Sequence, residues 1–143
     1  MKMEIARLAI AGRRRAALGL AACGAALALA GPALADQEVK SSDGQWKVHA
    51  KVSDTLAVGT SAKAMVDVAA AAGGKACPTV GSVVFEMPSH GHGGKVDPKV
   101  SPMEGCRFQV TDINPSMGGE WRLRLVLKSE GKTSNADFSL QAK

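Results

Sequence analysis

Aromatic side chains are scarce in this chain. Its 143 residues include no tyrosine, 3 phenylalanines and 2 tryptophans, too few to stack along a single-stranded nucleic acid. No lysine- and arginine-rich stripe compensates, so nucleic-acid binding has no support. Paired carboxylates, a phosphate-cradling glycine loop and a complete zinc signature are also missing. Ser89 next to His90 is not a nucleophile and base in any geometry that adjacency supplies. The residues therefore do not suggest an enzyme.

What the chain does have is a basic, apolar beginning. Lys2, Arg7 and Arg13 to Arg15 precede an apolar stretch from Ala16 to Ala30, and Ala33, Leu34, Ala35 form an A-x-A site before Asp36. Residues 1–35 read as a secretory signal peptide and residues 36–143 as one small domain in the periplasm. The arginine run also permits twin-arginine export. Leu20 to Cys23 resembles a lipoprotein cleavage site, but the residues that follow stay apolar where a polar tether is usual. An uncleaved anchor is the alternative, since a span needs about 20 apolar residues. Five of the 18 Lys and Arg and one of the 13 Asp and Glu precede residue 36, leaving 13 bases against 12 acids. The basic character is mostly a targeting signal.

Cys23 lies in the leader, so an exported domain retains Cys77 and Cys106. An even pair outside the cytoplasm reads first as a disulfide, closing a loop of about 30 residues and contributing roughly 3 to 4 kcal/mol. A pair of thiolate metal ligands is the competing reading, weakened because neither cysteine belongs to a CxxC.

Beyond residue 36 the apolar period is two, and no convincing helical period appears. Trp46, Val48, Ala50 and Val52 alternate with Lys47, His49 and Lys51, which places His49 outward as a solvated residue. Ala64, Val66 and Val68 repeat the pattern, followed by Val83, Phe85 and Met87, then a short edge strand at Val96 to Val100 interrupted by Pro98. Phe108 and Val110, then Trp121, Leu123, Leu125 and Leu127, and finally Ala136, Phe138 and Leu140 complete the series. About seven short strands, each with one apolar face, predict an all-β, immunoglobulin-like antiparallel two-sheet sandwich. A domain this small needs those faces for its own core, which weighs against a ligand between the sheets.

The stretch VVFEMPSHGHGG, residues 83–94, carries two of the three histidines. Met87 occupies the last inward position before Pro88 stops the ladder, and an extended His90–His92 segment projects both imidazoles to one side, with α-carbons about 6.5 Å apart. Gly91, Gly93 and Gly94 let the backbone fold the rings back toward Met87. If successive strands alternate in direction, the histidine loop and the Met117 turn emerge at one end of the sandwich, and Cys77 and Cys106 meet at the other. Met87, His90, His92 and Met117 then form a candidate metal site of imidazoles and thioethers. In an exported domain with no free thiolate this donor set favours copper, because thioether sulfur suits Cu(I) and imidazole accepts either oxidation state. Trp121 is expected to anchor the core near the same rim, where it could shield the ion.

The order EMPSHGHGGKVDP, then Gly105 to Phe108, then SMGGEWRLRLVL resembles the YtkA-like domain family, which includes relatives of FixH proteins. The resemblance covers roughly residues 45–141. It implies an exported or membrane-anchored immunoglobulin-like sandwich linked to copper handling and to the assembly of copper-containing oxidases. It points to the same positions, Met87, His90, His92 and Met117, and to a membrane oxidase or copper-receiving envelope protein as partner. The cysteine pair lies outside the family pattern and rests on strand direction alone. The expectation is a periplasmic copper carrier or chaperone. The alternative is a non-catalytic interaction module for an envelope partner.

Overall fold

The computed structural model describes residues 34–53 and 55–143, and the expected signal peptide or anchor lies, but for Leu34 and Ala35, outside them. Ten strands follow in order: β1 Leu34–Lys40, β2 Trp46–Ser53, β3 Thr55–Leu56, β4 Ala62–Ala70, β5 Thr79–Met87, β6 His92–Gly93, β7 Lys99–Pro102, β8 Arg107–Ile113, β9 Gly119–Ser129 and β10 Lys132–Ala142. Among the described residues no helix is long and apolar enough to cross a membrane.

The strands form two five-stranded sheets, ordered β1-β2-β4-β8-β7 and β3-β10-β9-β5-β6. Their apolar rows face one another. Val48, Val52, Val66, Val110 and Ile113 from the first sheet meet Trp121, Leu123, Leu125, Leu127 and Phe138 from the second, all at most 1% exposed. Each such side chain contributes about 1.5–3 kcal/mol when fully buried. The outer faces carry charges in register. Glu86 lies opposite Arg122, Asp137 opposite Arg124 and Asp67 opposite Arg107, and each pair is joined by a salt bridge.

Ten elements replace the expected seven because three are short or sit at edges. β1 begins two residues before the expected cleavage point, with Leu34 opposite Ser53 and Ala35 opposite Val52. The expected cleavage after Ala35 would leave Asp36–Lys40 of it. β3 and β6 have two residues each, too few to show a period. The expected edge strand at Val96 starts instead at Lys99, after Pro98, and Val96 is 47% exposed. The cause is a tether: the Lys95 amide donates to the Asn114 carbonyl at 3.3 Å, holding that stretch to the β8–β9 loop before a ladder can form.

Direction alternates along the longer strands, and the two-residue β3 and β6 are the exceptions. All pairings are antiparallel except β3 with β10, which is parallel. β5 and β8 run the same way, β9 returns against β5, and Cys77, just before β5, is bonded to Cys106, just before β8, with α-carbons 5.4 Å apart. We call the cystine end the base and the opposite end the rim. At the base, β9 and β10 are joined by Glu130 and Gly131 at φ +49° and +75°, the positive pair that a two-residue hairpin matching strand twist requires.

Near the rim, β8 carries a bulge. Ala64 lies opposite Val110 but Ala62 opposite Ile113, so β8 spends one extra residue, and Asp112 takes φ +62°. Aspartate tolerates that conformation better than most side chains. The bulge turns Ile113 back into the core, fully buried, and aims the following loop across the rim.

Candidate metal site

The site is built from the end of β5 outward. Met87 is the last inward residue of β5 and is 2% exposed. Its carbonyl accepts from the His90 amide at 3.1 Å and the Gly91 amide at 2.9 Å, and Gly91 sits at φ +66°. Pro88 to Gly91 therefore close a turn instead of staying extended, and β6 comes back antiparallel with His92 opposite Met87. The turn brings the imidazoles together from within one hairpin. Their ring centroids are 5.7 Å apart with planes tilted by 43°.

Both histidines are exposed. The Nδ1 of His92 lies 3.2 Å from the Gly93 carbonyl oxygen. A carbonyl only accepts, so the tautomer with the proton on Nδ1 is the one that satisfies this contact, and that tautomer would leave the Nε2 lone pair free for a metal.

Trp121 closes the site from below. It is fully buried, stacks on Phe85 with centroids 4.6 Å apart, and meets the His92 ring edge-on at 5.9 Å. Its indole N–H donates to the Met117 carbonyl at 3.0 Å. The expected core role is met, and the same side chain touches both the histidine hairpin and the Met117 turn.

Met117 is 40% exposed on that turn. Met87 packs against the start of β9: its Cε lies 2.6 Å from where a Cβ on Gly119 would stand, and Gly119 is at φ +129°. All four candidate positions lie at the rim end of the sandwich, at two levels of burial. His90, His92 and Met117 are solvent-facing, while Met87 lies beneath them. Among the described residues no three His, Cys, Asp or Glu side chains are grouped to hold a metal, so a full donor set here needs thioether sulfur beside the imidazoles.

Cys77 and Cys106 form the disulfide at the base, so they are not thiolate ligands. Two clefts among the described residues lie away from the histidines. One, of about 400 Å³, is lined by Asp43, Gln45, Trp46, Ala71 and Glu130, and the other, of about 380 Å³, by Cys77, Val80, Val100 and Phe108.

His49 is a residue whose contacts the periodicity did not reveal. It faces outward as expected, but its Nε2 lies 2.9 Å from Glu38 and its Nδ1 3.7 Å from Asp36. The signal was the alternation of Asp36 and Glu38 along a full β1, in register with β2. Elsewhere charge pairing is ordinary. The Arg124 guanidinium, hydrogen-bonded to Asp137, holds that carboxyl below the usual carboxylate range despite partial burial, and the Ser41 hydroxyl and Gln45 amide do the same for Asp43.

No known protein family matches the sequence, nor does any curated protein. Among solved structures the chain is similar to a twitchin kinase region from C. elegans (Fn31-NL-kin-CRD-Ig26), at 18% identity over 62% of this chain and 14% of that one, with a TM-score of 0.35. It is also similar to a chimeric titin Z1Z2 functionalized with a KLER exogenous peptide from decorin, at 14% identity over 78% of this chain and 97% of that one, again with a TM-score of 0.35. The sandwich itself is read from the strand order of this chain.

Proposed function

We propose that the protein is an exported copper carrier or chaperone, in which His90 and His92 supply nitrogen and Met117, with Met87 behind it, supplies sulfur. The observation that carries this reading is the β5–β6 hairpin, which sets two exposed imidazoles 5.7 Å apart beside the turn of an exposed methionine. Copper is the cargo. Cu(I) is favoured because soft thioether sulfur prefers it, whereas a zinc site would more often recruit cysteine or carboxylate. An open, solvent-facing donor set suits a carrier, which must release its ion to a partner. The resemblance of the EMPSHGHGG and SMGGEW segments to the YtkA-like family supports the same reading. So does the A-x-A site before Asp36, read as the end of an export signal; in this reading the protein works in the periplasm and hands copper to a membrane oxidase or another envelope protein.

Titration of the protein with Cu(I) and Cu(II), against a His90→Ala, His92→Ala double variant, tests the proposal. The wild type is expected to bind at least about tenfold more tightly; equal binding by the two proteins removes the proposal.

A second reading is favoured by one observation. Val58, Val96 and Met117, each at least 40% exposed, all lie on rim loops and would be the apolar contacts of a module that docks on an envelope partner, with the histidines incidental. Partner capture from membranes that survives both chelation and the double variant selects this reading over the first.

A further inference from the structure

Trp121 has more connections than a core anchor needs. Its stack on Phe85 and its complete burial account for packing. The indole N–H needs a partner once buried, but that partner is the Met117 carbonyl, four residues upstream on the turn that presents the exposed thioether. The ring edge then meets His92, which belongs to a different hairpin. One rigid aromatic therefore holds the sulfur-bearing turn by a hydrogen bond and the nitrogen-bearing hairpin by contact. Phe85, from the same strand as Met87, fixes the indole plane from the other side.

We infer that Trp121 is the positioning residue of the rim, setting the separation of the His92 imidazole and the Met117 thioether so that the two act as one soft donor set. The inference rests on the copper reading above and adds a source of selectivity. With Trp121 in place the histidine pair is joined by sulfur, and Cu(I) is preferred. Without its N–H the Met117 turn is released, and the remaining imidazoles treat Cu(I) and Zn(II) more evenly.

The test uses the full-length chain expressed with its own leader, and the variants Trp121→Phe, Met117→Leu and their combination. Phenylalanine keeps a ring against Phe85 and removes the donor. Cu(I) and Zn(II) affinities are measured by competition with chromophoric chelators. Trp121→Phe is expected to weaken Cu(I) binding about 10- to 100-fold, as loss of an orienting partner does, and to leave Zn(II) affinity within about threefold. The double variant is expected to bind Cu(I) no worse than the weaker single, because both changes remove the same donor. Equal losses for the two metals, or Cu(I) losses that multiply in the double variant, overturn the inference, since a general loosening of the core produces either. A wild type that binds no Cu(I) sinks the copper reading first, and this inference with it.

Should Trp121→Phe fail to fold, Trp46→Phe leaves Trp121 as the single tryptophan. Its emission is expected to change in step with Cu(I) occupancy, and an unchanged emission at full occupancy overturns the proposed contact.

Discussion

At the base of the sandwich, a covalent bond crosses between the sheets and a two-residue hairpin closes β9 onto β10. At the rim, the corresponding connections are a four-residue turn that carries His90 and leads into His92 of β6, and a loop with an exposed methionine. The base spends its polar groups on itself: the Ser41 hydroxyl, on a residue 4% exposed, donates to Asp43 and accepts from the Trp46 amide. The rim leaves imidazole nitrogen facing solvent. The difference teaches that stability and candidate chemistry are kept at opposite poles, which makes them separable by mutation.

The strongest way to test that separation is to cut the base. Replacing Cys77 and Cys106 with alanine is expected to cost roughly 3 to 4 kcal/mol, the chain-entropy value for a loop of this length, visible as a lower denaturation midpoint. Copper affinity of the folded variant should stay within about threefold of wild type. A rim that loses binding along with the cystine breaks the comparison.

Gly119→Ala strikes where the rim meets the core. The added methyl meets the Met87 Cε at 2.6 Å with the backbone at φ +129°, so a loss of roughly 1–3 kcal/mol is expected in chemical denaturation. A neutral result would show that Met87 is free to move aside.

The rim histidines give the opposite profile. The His90→Ala, His92→Ala double variant is expected to unfold within about 0.5 kcal/mol of wild type, as exposed positions do, while losing copper. A large destabilisation would assign the pair a structural task.

The smallest effect concerns pH. Arg124 depresses the Asp137 pKa in the folded state, so this pair adds stability above the unfolded value near pH 3.9 and loses it as pH falls through the lower folded value. Asp137 is 39% exposed, which screens the pair, so Asp137→Asn should cost no more than about 0.5 kcal/mol at neutral pH, less at pH 2. Denaturant midpoints at the two pH values measure it.

How far the sequence spoke depends on the physical reach of each signal. Alternation is local, and the rows Trp46 to Val52 and Trp121 to Leu127 announced their strands and their buried faces. Direction needed only alternation of the longer strands, which set Cys77 against Cys106 and the Met117 turn at the histidine end; the short β3 and β6, which break the alternation, carry no period and did not enter it. The turn at Pro88 to Gly91 was half legible: its glycines permitted the fold-back, but acceptance of two amides by one Met87 carbonyl is a three-dimensional outcome. The bulge at Asp112 was hidden, because an aspartate in left-handed backbone carries no periodic mark. The Trp121 to Met117 bond was missed for a similar reason. A carbonyl has no sequence signature, and only the four-residue spacing hinted at it.

The cystine joins β5 of one sheet to β8 of the other at a single end, and this makes the base a fulcrum. β9 spans 11 residues, about 36 Å at the rise of an extended strand, so each degree of rocking between the sheets moves the far lip by about 0.6 Å. With the pin at one heel, the far end is held by packing and hydrogen bonds, so any change in how the sheets pack is displayed there most strongly.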